Sequence, residues 1–412
     1  MKHLCTIIFL FWLPFTGLSQ RTLFGNLENY LSDYVATLPV SGSNVYRDPA
    51  EADRLNLGNA TTMIMNGDLS EAQEIAMLSG YEVIRYIDNS QLSNREFYGL
   101  QPQPGSSNYW GILFLNPDAC IDVILQCPHP RFDSNTGLQG AYIFTHLDAK
   151  GLMISGTHRC NSIAPTDCDG TTSVCGSSSA YRISDIAHNT ESLFQTYTEA
   201  LAEDSATYFI QLHGFAKNSG DPNLIISNGT RQTPQEDPIA DIRNGLWTVD
   251  PDLTFKIIHI HTDWTRLTAF TNTQGRYLNG STDPCFQNAS ASTGRFIHIE
   301  QEYDRFRKDA SGWELMRRGL EEAFECQVST SQVEIQEELD IRIIASDDQF
   351  VAYFQDDRMK WINVFTMDGR RILSGPLVDG AVYRVPDQMM LIISISDLNS
   401  GQLLLGRKIW IP

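Results

Sequence analysis

The sequence is poor in positive charge. Lysine and arginine together number 30, against 50 aspartate and glutamate residues, so the 412-residue chain carries a net charge of -20. Runs of Lys or Arg never exceed two residues. Proteins that bind nucleic acid or anionic membranes do so through clustered positive charge, so we expect neither as a partner. The acidic surface is expected to serve solubility.

Long apolar runs are also scarce. Residues 4–15 form one behind a short polar start, and this run is too short to span a bilayer as a stable helix. Gly17 and Ser19 place small residues before Gln20, where we expect cleavage. We therefore predict a signal peptide over residues 1–19, an exported protein that is secreted or held at the cell surface, and no later transmembrane segment. An uncleaved anchor is the alternative.

Closely spaced cysteine pairs of the kind found in zinc knuckles are absent. Seven of the eight cysteines remain after signal cleavage, and disulfides are expected in an exported chain. Three lie in a loop rich in Ser, Thr, Asp and Gly, where a bridge would pin the loop. Cys285 has Cys326 or a loop cysteine as candidate partners, and the odd number leaves one free thiol. The seven are Cys120, Cys127, Cys160, Cys168, Cys175, Cys285 and Cys326.

The C-terminal residues 333–412 predict a small antiparallel β-sandwich of their own. Short alternating apolar runs include Trp361–Thr366, Met389–Ser396 and Leu403–Ile411. Asp368-Gly369 between two such runs is a strong hairpin signal. A domain boundary is expected near residues 326–332, where Ser and Thr cluster. A generic carbohydrate-binding or immunoglobulin-like module is the alternative interpretation.

This tail resembles the C-terminal sorting domain of the type IX secretion system of Bacteroidetes. The resemblance rests on the segment INVFTMDGRRILSG and on Gly406-Arg407-Lys408-Ile409 in the last strand. The Gly-x-Tyr pair usual before the penultimate strand is replaced by Pro386-Asp387-Gln388-Met389. The resemblance implies that the type IX secretion machinery is a partner.

Residues 20–328 predict one α/β domain with a mostly parallel sheet and helices on both faces. Apolar strand-like runs alternate with amphipathic segments along this region, the pattern typical of such sheets. The predicted strands are 81–88, 109–115, 121–126, 151–158, 207–213, 223–227, 255–261 and 295–300. The predicted helices are 23–37, 49–66, 140–147, 191–202 and 313–324.

Polar side chains close three of these strands. His213 ends one, His129 follows another with Asp133 four residues later, and Glu300 ends a third. In open α/β sheets, ligands gather at the carboxyl ends of the strands. Two nitrogens and one carboxylate oxygen are typical ligands of catalytic zinc, and a further carboxylate is the usual base. The pattern therefore predicts one zinc ion held by His129, Asp133 and His213, with Glu300 as general base.

The order of these residues resembles the zinc carboxypeptidase-like superfamily, which includes N-formylglutamate amidohydrolases and poly-γ-glutamate hydrolases. The motifs are CPHPRFD, IQLHGF and RFIHIEQEYDRFR. The resemblance implies hydrolysis of an amide bond in a peptide, an N-acyl amino acid or a γ-glutamyl substrate. Asp133 stands where the family has Glu, and it follows His129 by four residues where carboxypeptidases use three. Glu302 and Asp304 compete with Glu300 for the role of base.

Several other polar residues are candidates for substrate binding. Arg159 and Arg276 each offer a guanidinium for a substrate carboxylate, a pairing that is typically bidentate. His158, His188 and Asn189 close a strand or precede a helix, and are alternatives for binding substrate or metal. His259 and His261 alternate on a predicted strand and are expected to share a face, whereas His146 and His298 are interpreted as structural.

Two other functions stay open from the sequence. One is a metal-dependent esterase or phosphoesterase that uses the same histidines together with His158 and His188. The other is a cell-surface binding protein in which a hydrolase fold has lost catalysis. The unusual spacing of His129 and Asp133 favours this second function. Metal content distinguishes these two functions from the amide hydrolase. The amide hydrolase predicts one ion per chain, the esterase or phosphoesterase two, and the binding protein none.

Overall fold

The chain divides into two compact units, residues 1–328 and 329–412, in a computed structural model. The structure describes residues 20–90, 94–324, 326, 342–346, 349–353, 359–366, 370–385, 389–398 and 403–411. The predicted signal peptide and the predicted Asp368-Gly369 turn lie outside these ranges. Among the helices described, none combines the length and the apolar character needed to cross a bilayer.

The first unit alternates strands and helices, as its sequence pattern predicts. Its strands are β1 (Arg21–Gly25), β2 (Tyr81–Asp88), β3 (Arg95–Pro102), β4 (Ile112–Leu115), β5 (Ile121–Cys127), β6 (Ala149–Ile154), β7 (Thr171–Thr172), β8 (Ser179–Ala180), β9 (Tyr208–Gly214), β10 (Leu224–Ser227), β11 (Phe255–Ile257) and β12 (Phe296–Gln301). Its helices are α1 (Leu27–Thr37), α2 (Glu51–Asn66), α3 (Leu69–Met77), α4 (Thr136–Leu147), α5 (Leu193–Leu201), α6 (Pro238–Val249), α7 (Thr273–Leu278) and α8 (Ala310–Ala323).

Ten of these strands form one mixed sheet in the order β1-β2-β3-β4-β6-β5-β9-β12-β10-β11. The central strands β6, β5, β9 and β12 run parallel, so their carboxyl ends meet at one edge. Antiparallel pairs join β2 to β3, β3 to β4, β4 to β6 and β12 to β10. The predicted α/β class with a mostly parallel sheet is confirmed.

Helices cover both faces of the sheet. On one face α1, α4, α6 and α8 pack into an apolar core with side chains such as Leu31, Phe144 and Leu320. On the other face α2, α3, α5 and α7 pack into a second core with side chains such as Leu57, Tyr197 and Leu278. The strands between are buried from both sides, which is why they read as continuous apolar runs.

Several predicted bounds differ from the structure. The strands predicted over 109–115 and 151–158 are β4, Ile112–Leu115, and β6, Ala149–Ile154. The helix predicted from Leu23 begins at Leu27, because residues 21–25 pair with β2 and the Asn26 side chain caps α1. The strand predicted over 255–261 ends at Ile257, and the chain then turns back through an N–H bond from residue 261 to the Ile257 carbonyl. The predicted shared strand face of His259 and His261 is therefore wrong.

The described residues of the first unit include three disulfides. They join Cys120 to Cys326, Cys160 to Cys175, and Cys168 to Cys285. The last two fix the loop between β6 and the 3-10 turn Ile186–His188, as expected of the loop cysteines. Cys285 takes the loop partner rather than Cys326. Among the cysteines that the structure describes, Cys127 is the free thiol, and burial raises its pKa.

The second unit consists of two antiparallel sheets around an apolar core. One sheet has the order β13 (Arg342–Ser346), β14 (Gln349–Tyr353), β17 (Val382–Arg384). The other has the order β16 (Arg371–Leu377), β15 (Lys360–Thr366), β18 (Met389–Asp397), β19 (Leu403–Ile411). Phe350, Ile362 and Ile393 lie in the core between them. This architecture matches the predicted antiparallel sandwich.

Candidate metal centre

The parallel strands deliver the predicted residues to one place. His129 follows β5, His213 lies at the end of β9, and Glu300 lies at the end of β12. Strand β9 lies between the other two, and Glu300 pairs directly with His213 in the register of β9 and β12. All three side chains are buried.

Asp133 joins His129 and His213. Its N–H donates to the His129 carbonyl at 3.1 Å, which closes a helical turn and places the two side chains on the same side. Its Oδ2 lies 3.3 Å from His129 Nδ1 and 3.0 Å from His213 Nδ1. The unusual four-residue spacing therefore brings His129 and Asp133 together through one turn of helix.

The outer nitrogen of each histidine faces an oxygen atom. His129 Nε2 lies 2.8 Å from Asp185 Oδ1, and His213 Nε2 lies 3.1 Å from Gln211 Oε1. Asp185 also accepts hydrogen bonds from Arg159 at 2.6 Å and from the His188 ring at 3.2 Å. Histidines that bind a metal almost always donate their second nitrogen to a carboxylate or carbonyl in this way.

The electrostatics of the two histidines differ. Burial and Arg159 disfavour protonation of His129, but Asp133 and Asp185 outweigh them and raise its pKa. Burial lowers the pKa of His213 to about 4. Burial alone would raise the pKa of Asp133 and Asp185, but their cationic and histidine neighbours hold both below the usual range.

Glu300 and His298 lie beside His213 with unsatisfied polar atoms. Burial, followed by the charge of Asp133, raises the pKa of Glu300 to about 8. Glu300 Oε2 and His298 Nδ1 are buried, and no described residue offers either a hydrogen bond. The two side chains approach to 3.8 Å through Oε1 and Nε2. One atom each of His213, His298 and Glu300 lie within 4.8 Å of one another, as do those of the first histidine–aspartate group.

The competing acids lie elsewhere. Strand β12 ends at Gln301, so Glu302 is not on the strand face of Glu300. The Glu302 carboxylate accepts a hydrogen bond from Asn223 at 2.6 Å and pairs with Lys217 at 3.3 Å. Asp304 is exposed in the π-helical turn after β12.

Arg307 ties the three strand ends together. Its buried guanidinium donates to the carbonyls of Asp133, Ser134, Phe215 and Gln301 at 2.6 to 3.2 Å. A Cβ at Gly214 would lie 2.1 Å from Arg307 Cζ. The glycine after His213 therefore leaves the space through which Arg307 reaches the Asp133 turn.

The site opens into a cavity of about 470 Å³. His129, His213, His298 and Glu300 line it. One wall segment, residues 267–272, includes Leu267 and Ala269 at φ 56° and 59°, a backbone conformation that is strained for residues other than glycine. Strain of this kind is concentrated at binding sites. The remaining wall comes from the disulfide-bonded loop and the 3-10 turn, through Thr172, Val174, Tyr181 and His188.

Two of the predicted substrate-binding residues line this cavity. The Arg159 guanidinium is held against the Phe132 ring at 5.1 Å and bonds Asp185 through one terminal nitrogen, whereas its buried Nε has no partner among the described residues. His188 stacks on Tyr181 with ring centroids 3.7 Å apart. Arg159 therefore retains donors for an anionic group.

The other three predicted substrate-binding residues do not line the cavity. His158 lies against Phe132, and its Nδ1 accepts the N–H of Cys160. Asn189 is buried and donates to Asp48 and to a backbone carbonyl. Arg276 lies in α7 rather than in a loop, buried, with its donors on Asp169, Asn288 and three backbone carbonyls.

Some residues of the site are absent from the sequence interpretation. Asp185 reaches His129, and Asn272 reaches Gln211, only through the tertiary fold, whereas Gln211 lies two residues before His213 on β9. His298 is interpreted from sequence as structural, although its spacing of two from Glu300 on a strand places both on one face. That spacing is the one local signal that identifies it.

The donor set fits zinc. Two imidazole nitrogens and a carboxylate oxygen are typical zinc ligands, and ligands about 2.0–2.1 Å from one tetrahedral ion lie about 3.3 Å apart. The separations of 3.3 and 3.0 Å from Asp133 Oδ2 to the two Nδ1 atoms agree with this value. The unpartnered Glu300 Oε2 lies beside the same group.

Comparison with known proteins adds little. No family model matches the sequence, and no curated protein matches it. A metallo-carboxypeptidase from Burkholderia cenocepacia matches with 10% identity and a TM-score of 0.28, covering 63% of this chain and 66% of that one. A protein named as a candidate carboxypeptidase A from Shewanella denitrificans matches with 11% identity, the same TM-score and the same coverage. The chain thus covers just under two thirds of their length, and TM-scores this low carry no argument about activity.

Proposed function

We propose that the protein is a zinc-dependent hydrolase that cleaves an amide bond in a peptide, an N-acyl amino acid or a γ-glutamyl substrate. His129, Asp133 and His213 hold one ion, and Glu300 is the general base. The sequence resemblance to the zinc carboxypeptidase-like superfamily supports the reaction class. The geometry of the buried site supports the choice of residues.

One observation carries this proposal. His129 Nδ1, His213 Nδ1 and Asp133 Oδ2 converge, while both outer nitrogens face oxygen atoms to which they can donate. A neutral imidazole has one N–H, so a proton on each outer nitrogen leaves two lone pairs directed at a carboxylate oxygen. With both rings neutral, this arrangement is repulsive unless a cation lies between the three atoms; without a metal ion, a further proton on His129, whose pKa Asp133 and Asp185 raise, takes that place. A bound zinc ion would supply the charge, polarise the substrate carbonyl and lower the pKa of water.

Glu300 accepts the proton of the attacking water and passes it to the leaving nitrogen. Its carboxylate is buried beside His213, with Oε2 free of partners among the described residues, so it is available to a water molecule in the cavity. A cation beside it favours the ionised form that a base requires.

Arg159 binds a carboxylate of the substrate. Arg159 lines the cavity, its guanidinium is fixed by Phe132 and Asp185, and its Nε has no hydrogen-bond partner among the described residues. A substrate with a free carboxylate is therefore expected to react faster than its amidated form. Arg276 donates a hydrogen bond to Asn288, which lines the cavity, so Arg276 positions Asn288 and does not contact the substrate itself.

The first test is the zinc content of the chain purified without chelator, in wild type and in His129→Ala and His213→Ala. About one zinc per chain is expected in wild type, with loss in both variants. His259→Ala is the matched control, because His259 is also buried and paired with an aspartate, Asp237 at 2.9 Å, outside this cavity. Hydrolysis of short peptides and N-acyl amino acids, each with a free or amidated end, then tests the substrate class.

The same measurement separates the alternatives. Two metal ions per chain or phosphatase activity would favour the esterase or phosphoesterase, although neither His158 nor His188 belongs to a potential metal group among the described residues. Absence of stoichiometric metal from wild type would overturn the zinc site and favour a binding protein.

We also propose that the protein is exported and sorted through its C-terminal unit by the type IX secretion machinery. The sequence resemblance of the tail supports this, and three disulfides in the first unit are those expected of an exported chain. Deletion of residues 333–412 is expected to retain the protein in the periplasm, and unchanged export of the shortened chain would overturn the proposal.

A further inference from the structure

A network of buried amides stands behind His213. Gln211 lies two residues before it on β9, and its Oε1 faces His213 Nε2 at 3.1 Å. The same oxygen accepts a hydrogen bond from Asn272 Nδ2 at 2.7 Å. Gln211 Nε2 donates to Gln274 Oε1 at 3.1 Å. All three amides are buried, so water does not compete for these bonds.

Backbone groups fix the orientation of the two outer amides. Asn272 caps α7, and its Oδ1 accepts the N–H of Gly275 at 2.8 Å, so its NH₂ group must be the one that faces Gln211. Gln274 donates from Nε2 to the carbonyl of Ile186 at 3.2 Å, so its oxygen must face Gln211. An N–H and a C=O cannot exchange roles, which removes the usual ambiguity of amide orientation.

Gln211 is therefore fixed from both sides. Its NH₂ group points to Gln274 and its oxygen points to Asn272 and His213, because the opposite orientation would set like groups against each other at both ends. The His213 nitrogen that faces this oxygen must carry a proton. In the neutral ring the remaining nitrogen, Nδ1, then has a lone pair that faces Asp133 across the position proposed for the metal ion.

We infer that Asn272 is a positioning residue that acts through Gln211 to hold His213 in the tautomer with Nε2 protonated and Nδ1 free to bind a cation. The inference rests on the proposed metal site and deepens it. It also gives the cavity wall a role, because Asn272 belongs to the wall segment 267–272 as well as to the cap of α7.

The test uses Asn272→Asp. A carboxylate oxygen still caps α7 through the Gly275 N–H, but the group facing Gln211 becomes an acceptor. Gln211 must then turn its NH₂ group toward both residue 272 and His213, which favours the tautomer with Nδ1 protonated. Asn272→Ser is the second variant, because serine also caps helices but neither reaches Gln211 nor adds charge. Asn26→Asp is the matched control, an asparagine that caps α1 with its side chain on Asn29 at 2.7 Å.

Two readouts are needed. Zinc affinity, measured by chelator competition, is expected to fall about 10- to 100-fold in Asn272→Asp, by a smaller factor in Asn272→Ser, and not in Asn26→Asp. The His213 tautomer, read from ¹⁵N chemical shifts in chelator-treated protein and assigned with His213→Ala, is expected to be Nε2-protonated in wild type and altered in Asn272→Asp.

The two readouts distinguish the inference from the proposed function. A wild-type His213 without a proton on Nε2 would overturn the inference, as would zinc affinity within twofold of wild type in both Asn272 variants. If wild type binds no zinc, the proposed function fails while the tautomer still tests the network. Thermal unfolding of each variant identifies a loss of affinity that comes from misfolding.

Discussion

The two halves of the metal centre are held by different chemistry. On the β5 side, His129 donates to Asp185, which is itself paired with Arg159, so a buried ion pair fixes the ring. On the β9 side, His213 donates to the neutral amide of Gln211. An ion pair depends on both charges being present, whereas an amide network depends on orientation alone. The same ligand type is thus stabilised by charge in one half and by geometry in the other.

The carboxylates of the two halves differ in the same sense. Asp185 has cationic and histidine neighbours that hold its pKa well below the usual value, whereas Glu300 has burial as the dominant influence, and its pKa rises to about 8. Environments that drive the pKa values of neighbouring acids apart are how an active site assigns distinct roles to them. Asp185 is therefore suited to orient a ligand, and Glu300 to exchange a proton.

The largest effect is expected from Glu300→Gln. Removal of a general base costs about 10²- to 10⁴-fold in rate, so kcat on the amide substrate should fall in that range while one zinc per chain is retained. Glu302→Gln is the control, because that carboxylate binds Asn223 and Lys217 instead of facing the cavity. If Glu300→Gln loses zinc as well as activity, Glu300 is a metal ligand. The carboxylates of the two halves would then not have distinct roles.

The charged half is broken by Asp185→Asn. We expect zinc affinity to fall about 10- to 100-fold, because His129 loses its carboxylate partner. The free energy of unfolding should fall by about 3–5 kcal/mol as well, since the buried Arg159 loses its counterion. Zinc competition and urea denaturation measure the two effects.

Asn272→Ser is the counterpart in the neutral half, with a smaller loss of zinc affinity and a smaller loss of stability expected, because it leaves no buried charge without a partner. The control for Asp185→Asn is Asp237→Asn, which breaks the buried pair with His259 outside the cavity and should leave zinc affinity unchanged. Equal stability losses in Asp185→Asn and Asn272→Ser would contradict the distinction between the two halves.

Gly214→Ala tests the link between the halves. The added methyl group meets the Arg307 guanidinium, which cannot move without breaking hydrogen bonds to four carbonyls, including that of Asp133. We expect a loss of about 1–3 kcal/mol in the free energy of unfolding, with weaker zinc binding. Gly375→Ala is the control, because its methyl group would meet no atom of the described residues within 4 Å. Wild-type stability in Gly214→Ala would mean that Arg307 is free to shift.

The sequence predicts the proposed metal ligands and base better than it predicts the residues that orient them. Apolar runs that end in His129, His213 and Glu300 indicate strand ends, and parallel strands must gather those ends, so the ligand set follows from local pattern and topology. Asp185 and Asn272 meet the site across sequence separations of 56 and 61 residues, to His129 and Gln211 respectively. No local pattern records such contacts, and each residue by itself reads as an ordinary loop or capping residue.

Arg276 shows that a sequence pattern can also indicate a substrate-binding residue where the structure places a structural one. An arginine between glycines reads as an exposed binding loop, but Asn272 caps a short helix there, and the guanidinium turns inward to Asp169 and backbone carbonyls. Arginine is satisfied equally by a ligand and by carbonyl groups of its own chain, so its residue type does not decide between them. The cavity distinguishes the two arginines as candidates for substrate binding, since Arg159 lines it and Arg276 does not.

The smallest effect expected is a pH dependence of stability in chelator-treated protein. The folded-state pKa of Glu300, about 8, lies above the usual 4.5, so the folded chain binds a proton that the unfolded chain releases between these values. Stability from Glu300 is therefore full below pH 4.5 and is lost as pH rises toward 8. His213, whose pKa is lowered to about 4, acts in the opposite sense between pH 4 and 6.5, so the difference between wild type and Glu300→Gln isolates the glutamate. We expect that difference to change by a few kcal/mol or less across the window, in urea denaturation at each pH. A difference independent of pH would mean that Glu300 is ionised throughout, and the carboxylates of the two halves would then be alike.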